Sequence, residues 1–163
     1  MALVYLSLGS NIEPDKHIRA ALQALAAAFP GMKASPVYES EAVGFDGDNF
    51  YNLVVQVDTG STVAELSRFL RQLEDAHGRV RGGERFSART LDIDILTCDD
   101  KVGVIDGIEL PRREILKNAF VLLPLADIAP AARHPVANKT YRELWQAFDK
   151  SKQKLWMVEL PDA

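Results

Sequence analysis

The stretch Leu91-Asp92-Ile93-Asp94-Ile95-Leu96 decides how this chain is expected to fold. Its apolar residues alternate with aspartates, which is the period of a strand with one buried face. The stretch follows a helical pattern that opens with Thr62 and Glu65, the two residues of a capping box. It is the last of six segments in the order β-α-β-β-α-β. That order predicts a ferredoxin-like core, one antiparallel sheet with two helices on one face.

The five earlier segments are assigned from hydrophobic period and turn residues. A strand is predicted at 3–8, ended by the turn Gly9-Ser10-Asn11, and a helix from Pro14 to the break at Pro30-Gly31. An extended stretch at 33–39 leads into an irregular loop at 40–48. A valine-rich strand at 50–58 and a helix that stops near Gly78 complete the series.

The remainder of the chain is predicted to be appended to this core. A strand at 102–105 turns at Asp106-Gly107, a buried segment at 119–128 is broken by Pro124, and Thr140 with Glu143 caps a further helix. We expect one domain over residues 1–163. Its class is α+β (α/β two-layer), with a ferredoxin-like β-α-β-β-α-β core, an appended β-hairpin and C-terminal helices.

The composition of the 163 residues is that of an ordinary globular protein, 47% apolar and 26% charged. A net charge of −4 argues against general attraction to nucleic acid or to an anionic membrane. Cys98 is the only cysteine and cannot form an internal disulfide, which suits a reducing compartment. The apolar N-terminus reaches Gly9 too soon for a signal peptide or a membrane span. We expect a cytoplasmic monomer with no nucleic-acid or membrane partner.

The two aspartates of the last strand are candidate metal ligands. Asp92 and Asp94 share one face of the strand, with Cα atoms roughly 6–7 Å apart. Two carboxylates so placed can hold a pair of Mg²⁺ ions together with water and phosphate oxygens. An Asp-x-Asp pattern alone is more often the polar outer face of a sheet. The residues around the two aspartates must therefore decide between a metal site and a polar outer face.

That neighbourhood is a basic loop that leads directly into the strand. It contains the glycine pair Gly82-Gly83 and four arginines: Arg79, Arg81, Arg85 and Arg89. One guanidinium group can bind two phosphate oxygens at once, and glycines let a loop fold over a ligand. Arginines on phosphates beside carboxylates on magnesium are typical of phosphoryl transfer. The chain is therefore predicted to be an enzyme that uses magnesium and a nucleoside triphosphate.

A third group of candidates lies on the strand at 50–58. Phe50 and Asn52 are expected on the same face of the sheet as the two aspartates. An aromatic ring and a side-chain amide can stack on and hydrogen-bond a flat heterocycle. An aromatic residue that merely covers an exposed sheet is an equally good interpretation of the position alone.

Together these segments resemble the 6-hydroxymethyl-7,8-dihydropterin pyrophosphokinases of folate biosynthesis. The resemblance rests on residues 5–11, 50–53, 78–81 and 119–130, and above all on Arg89-Thr90-Leu91-Asp92-Ile93-Asp94-Ile95. It implies transfer of the terminal pyrophosphate of ATP to the hydroxymethyl group of the pterin, with release of AMP. It also implies two Mg²⁺ ions, with ATP as co-substrate.

The resemblance assigns roles to individual residues. Asp92 and Asp94 would hold the metals, while Arg79 and Arg89 would stabilise charge on the transferred group. The residues implied for ATP are Glu74, Arg81, Arg85, Ile95, Arg112 and Arg113. The pterin would lie between Phe50 and Phe120, with Asn52 at its edge and backbone groups near Ser40 and Val43 completing the pocket.

Five positions depart from the family pattern. Arg112 stands where histidine usually follows the proline, Asn118 replaces an arginine, Phe86 replaces a tryptophan, and Ser87-Ala88 replaces Gly-Pro. Two alternatives therefore stay open. One is a divergent paralogue that acts weakly or on another pterin, and the other is a ferredoxin-like RNA-binding module with an Arg-Gly-Gly loop.

Overall fold

A computed structural model describes residues 1–41, 49–78, 90–151 and 153–160 of the chain. Its strands are β1 (Ala2–Ser10), β2 (Lys33–Ala34), β3 (Val37–Ser40), β4 (Phe50–Thr59), β5 (Asp92–Cys98), β6 (Gly103–Ile105), β7 (Ile108–Leu110) and β8 (Leu155–Val158). Its helices are α1 (Pro14–Ala28), α2 (Val63–Ala76), α3 (Glu114–Lys117), α4 (Ala119–Ile128) and α5 (Tyr141–Ala147). No helix among these residues is both long enough and apolar enough to cross a bilayer.

The main sheet has the strand order β5-β1-β4-β3-β8, and β2 also pairs with β4. Every pairing in it is antiparallel. β2 and β3 run along the same side of β4 and act as one interrupted strand. The order of the core strands is then that of a ferredoxin-like sheet, so the predicted fold class is confirmed.

One face of the sheet packs on α1 and α2, as the alternation of the strands predicts. Its core is formed by the apolar residues of three neighbouring strands, among them Leu6, Leu53 and Ile93. The capping box of α2 is present: Thr62 Oγ1 accepts from Glu65 N, and Glu65 Oε1 accepts from Thr62 N. Satisfying these amides fixes where α2 begins.

The opposite face carries a second core that the sequence did not predict. Tyr5, Val54 and Leu96 are buried there against α4 and against Tyr141 of α5. The predicted break at Pro124 is wrong, because α4 continues through it. A proline inside a helix costs about 3 kcal/mol, but Pro124 and five other residues of α4 are buried, and that burial offsets the cost: Ala119, Val121, Leu122, Leu125 and Ala126.

Three further observations concern individual strands. Gly9 and Ser10 belong to β1 rather than to a turn, because they pair with β4. The predicted hairpin is present as β6 and β7, and Asp106 and Gly107 both have positive φ, 51° and 81°, as a two-residue turn requires. Strand β8 is short and has no alternating pattern, so its pairing with β3 could not be predicted from the sequence.

Candidate active site

The pairing register places a row of polar groups across three strands. Gly9 of β1 lies directly between Asn52 of β4 and Asp92 of β5. Ser7, two residues earlier, lies between Val54 and Asp94. Since neighbouring strands are about 4.8 Å apart, Asn52 and Asp92 are separated by roughly 10 Å across the bare backbone of Gly9.

One end of this row, the neutral half, consists of Gly9, Ser40, Phe50 and Asn52. Asn52 is buried, and its Nδ2 donates to Ser40 Oγ at 3.2 Å. A Cβ built on Gly9 would lie 3.0 Å from Asn52 Oδ1 and 3.9 Å from Phe50 Cδ1, so both side chains border the glycine. The structure therefore brings together three of the residues that were predicted to bind a heterocycle.

Phe120 approaches from above the same face. It is the second residue of α4, which packs over β4, and it is partly buried against the second core. Helix α4 therefore places Phe120 on the side of the sheet that carries Asn52 and the two aspartates. Val43, the other predicted pterin contact, lies outside the described residues.

The other end of the row, the charged half, consists of Glu74, Asp92, Asp94 and Arg112. Glu74 in the last part of α2 is buried, and its Oε2 accepts from the backbone N–H of Ile93 at 2.8 Å. Among the described strands β5 lies at the edge of the sheet, so none of them is available on its outer side to bond this N–H. Glu74 thus fixes the backbone between the two aspartates.

In the charged half, carboxylates outnumber the single guanidinium of Arg112. Partial burial and the negative charge of Asp92 raise the pKa of Asp94 to about 7. Arg112 Nη2 lies 3.7 Å from Asp94 Oδ1, and its Nε donates to Glu114 Oε2 at 3.2 Å. Burial opposes the charged form of Arg112, yet Asp94 and Glu114 hold its pKa above the ordinary value. The guanidinium partly neutralises the carboxylates.

The donor set of this half fits a divalent magnesium ion. Asp92 and Asp94 offer carboxylate oxygens on one face, which is the chemistry that Mg²⁺ prefers. Burial and the negative charge of Asp92 raise the pKa of Asp94, and a bound cation would offset both effects. No group of three metal-binding side chains occurs among the described residues.

Two predicted nucleotide contacts, Ile95 and Arg113, have other surroundings. The side chain of Ile95 is buried in the α1–α2 core, so only its backbone could contact a ligand. That backbone faces the same outer edge of β5 as that of Ile93, since alternate residues direct their N–H and C=O groups to one side. Arg113 Nε donates to Glu109 Oε1 at 2.8 Å, on the exposed surface. Arg79, Arg81, Arg85 and Arg89 lie outside the described residues.

Sequence reasoning missed three residues of this region. Gly9 was assigned to a turn, and only the strand register shows its place between the two halves. Glu114 orients Arg112, a contact that depends on the chain path after β7. Thr90 Oγ1, beside Asp92, is buried, and no described residue bonds it.

The fold and the site together define an α+β enzyme whose aspartate pair suits phosphate chemistry. Residues 5–130 match the family model of 7,8-dihydro-6-hydroxymethylpterin-pyrophosphokinase. The chain therefore belongs to that family, and the prediction of a diphosphate-transferring enzyme is confirmed.

Relatives and solved structures agree with this membership. A 2-amino-4-hydroxy-6-hydroxymethyldihydropteridine pyrophosphokinase of Pseudomonas aeruginosa is 39% identical over 137 residues, 81% of this chain and 83% of that protein. The protein of the same name from Aquifex aeolicus is 36% identical over 147 residues, 88% of this chain and 90% of that protein. A Plasmodium falciparum HPPK-DHPS structure has a TM-score of 0.67 at 17% identity. It covers 90% of this chain, which spans only 43% of that longer protein, and shows a shared fold.

Proposed function

We propose that this chain transfers the terminal pyrophosphate of ATP to the hydroxymethyl oxygen of 6-hydroxymethyl-7,8-dihydropterin, a step of folate biosynthesis. The observation that carries the proposal is the row across the sheet, in which a buried amide and an aspartate pair lie on either side of Gly9. Roughly 10 Å is a span that a two-ring heterocycle with a one-carbon arm can cover. The names of the relatives supply the substrate that fits this row.

The neutral half would hold the pterin. Asn52, oriented by Ser40, offers an amide to the hydrogen-bonding edge of the heterocycle. Phe50 beside it and Phe120 on α4 would contact the two flat faces of the rings. Burial of Asn52 strengthens this recognition, because a ligand that lacked the matching groups would leave the amide unpaired.

The charged half would hold the triphosphate with two Mg²⁺ ions on Asp92 and Asp94. When bound, the metal would offset phosphate charge and lower the pKa of the attacking hydroxyl. Residues 79–89 connect Gly78 at the end of α2 to Thr90 beside Asp92, so both ends of the basic loop join this half. The resemblance places Arg79, Arg81, Arg85 and Arg89 on the phosphates, and Ile95 would meet the nucleotide through its backbone.

The transfer is a single in-line displacement. A bond forms between the hydroxymethyl oxygen and the β-phosphorus of ATP, and the bond from that phosphorus to the oxygen bridging the α-phosphate breaks. AMP leaves with that oxygen, and the hydroxyl proton passes to solvent. The chain contributes by holding the acceptor on Asn52 and the donor on the aspartates, so that the reacting atoms meet over Gly9.

The remaining properties follow from the same proposal. The chain would work as one cytoplasmic domain and as a monomer, with ATP and the pterin as its small-molecule partners. Its net charge of −4 gives no general attraction to nucleic acid. Tight oligonucleotide binding that weakens steeply with salt would instead favour the RNA-binding alternative.

The test identifies the nucleotide product. The protein is incubated with ATP, Mg²⁺ and the pterin, and the nucleotides are separated by chromatography. AMP that forms only when both pterin and Mg²⁺ are present supports the proposal. ADP as the product would show a one-phosphate kinase, and no turnover would favour the divergent paralogue; either result contradicts the proposal.

A further inference from the structure

Gly9 occupies a position where its own backbone does not require glycine. It lies in β1, in the interior of the sheet, and it is not among the glycines with positive φ. Glycine inside a strand is destabilising by roughly 0.5–1 kcal/mol relative to alanine. The reason for a glycine here must therefore lie in the surrounding side chains.

Those surroundings are tight for a methyl group, because a neighbouring side chain would have to move by a few tenths of an ångström. A Cβ at Gly9 would lie 3.0 Å from Asn52 Oδ1, closer than nine in ten real contacts of a Cβ atom. Asn52 cannot easily yield, because it is only 8% exposed and its Nδ2 is bonded to Ser40 Oγ at 3.2 Å. Even the smallest side chain at Gly9 would turn the amide and strain its bond to Ser40.

We propose that Gly9 is the positioning residue that sets the orientation of the Asn52 amide and so determines which acceptor binds. This inference rests on the function proposed above and adds a residue to it. The bare backbone of Gly9 also lets a flat heterocycle lie against the sheet on its way towards Asp92. A side chain at position 9 would select against such a ligand without touching the ATP side.

The test compares Gly9→Ala with Gly60→Ala. Gly60 is a matched control, because a Cβ there meets only Met1 Sδ at 3.7 Å, an ordinary contact, and its φ is not positive. Binding of 6-hydroxymethyl-7,8-dihydropterin is measured by calorimetry without ATP, and KM values are measured for both substrates. Thermal unfolding of both variants shows whether the fold is kept.

We expect Gly9→Ala to weaken pterin binding about tenfold, the loss of one well-placed hydrogen bond. The KM for ATP and the unfolding temperature should stay close to those of the wild type, and Gly60→Ala should match the wild type throughout. Equal pterin affinity in Gly9→Ala and wild type would overturn the inference while leaving the proposed function intact. A wild type that neither binds nor converts the pterin would overturn the function, and the inference with it.

A double-mutant cycle tests whether Gly9 acts through Asn52. If it does, Gly9→Ala should weaken pterin binding much less in an Asn52→Ala background than in the wild type. Additive effects would show that the two positions act independently. That result would contradict a positioning role for Gly9 even if each single variant binds the pterin poorly.

Discussion

The two halves of the site are built in opposite ways. The neutral half stands on interior strands, and its central side chain, Asn52, is buried and already hydrogen-bonded. The charged half has its aspartates on β5, at the edge of the described sheet, and the side chains of Asp94 and of Arg112, which follows β7, are 39% and 32% exposed. The neutral half is thus formed before any ligand arrives. The charged half carries a repulsion between carboxylates that Arg112 only partly offsets.

This difference predicts that a substitution in one half impairs the work of that half and spares the other. The largest loss of activity is expected for a substitution of Asp94. Asp94→Asn removes a carboxylate from the aspartate pair and should lower turnover by at least about 10³-fold. Binding of the pterin in the absence of ATP should change less than about twofold, because Asn52 lies two strands away from Asp94, at roughly 10 Å or more. Steady-state turnover and calorimetric titration of the pterin measure the two effects.

Asp100→Asn is the control for Asp94, since Asp100 is an exposed residue of the turn after β5. It should behave as the wild type does. Near-normal turnover of Asp94→Asn at saturating magnesium would remove the aspartate pair from the proposed metal site. Loss of pterin binding in that variant would show that the halves are coupled.

The second-largest effect should come from Glu74, whose carboxylate binds the backbone between the two aspartates. Glu74→Ala leaves the buried N–H of Ile93 without its acceptor, which should cost about 1–3 kcal/mol of unfolding free energy. Glu74→Gln keeps an acceptor oxygen and should lose less than about 1 kcal/mol. Urea unfolding of the two variants measures this. Equal losses would mean that the hydrogen bond is not what Glu74 contributes to stability.

The fold was predictable wherever one face of an element is buried and the other is polar. Alternation in β4 and β5 and the capping box of α2 identified the ferredoxin-like core. The second core could not be predicted in this way, because α4 is apolar almost all round and contains Pro124. Its helical state depends on packing against Tyr5 and Val54, which are distant in sequence.

The site could be predicted where its functional residues lie close together in the sequence. Asp92 and Asp94 on one strand, and Phe50 and Asn52 on another, reach the same face because strand residues alternate. Their alignment across Gly9 depends on the register of three strands, which the sequence does not specify. The contact between Arg112 and Asp94 likewise depends on how the chain returns to β5 after the hairpin.

A smaller effect is expected at Arg112, whose guanidinium supplies positive charge beside Asp94 where a metal ion would otherwise do so. Arg112→Ala frees Asp94 from its guanidinium, so divalent cations should bind about two- to fivefold more tightly, as for a partly exposed ion pair. Titration of Mn²⁺ followed by electron paramagnetic resonance, without nucleotide, measures this. Arg113→Ala is the control, since Arg113 pairs with Glu109 on the surface. Weaker Mn²⁺ binding in Arg112→Ala would mean that Arg112 supports the cation rather than competing with it.

The smallest effect concerns a histidine pair that joins the helices beneath the site. His17 in the first turns of α1 and His77 at the end of α2 face each other with Nδ1 atoms 2.5 Å apart, so one ring donates a proton and the other accepts it. Burial lowers the pKa of both rings. The charge of Lys16 lowers both further, and Glu13 opposes this at His17. The pair therefore favours a state in which at least one ring is neutral.

This pair predicts a pH dependence of stability whose sign can be worked out. Because both pKa values are lowered in the folded chain, the unfolded chain binds more protons as pH falls through the ordinary histidine value of 6.5. Stability contributed by the pair is therefore present at higher pH and is lost as pH falls. His77→Gln should cost about 0.5–1.5 kcal/mol at neutral pH, the value of one hydrogen bond, and this difference from wild type should shrink in acid. Urea unfolding at about pH 7.5 and about pH 5.5 measures it. A difference that stays constant with pH would show that the pair contributes by packing alone, while pterin binding should be unchanged in either case because Asn52 takes no part.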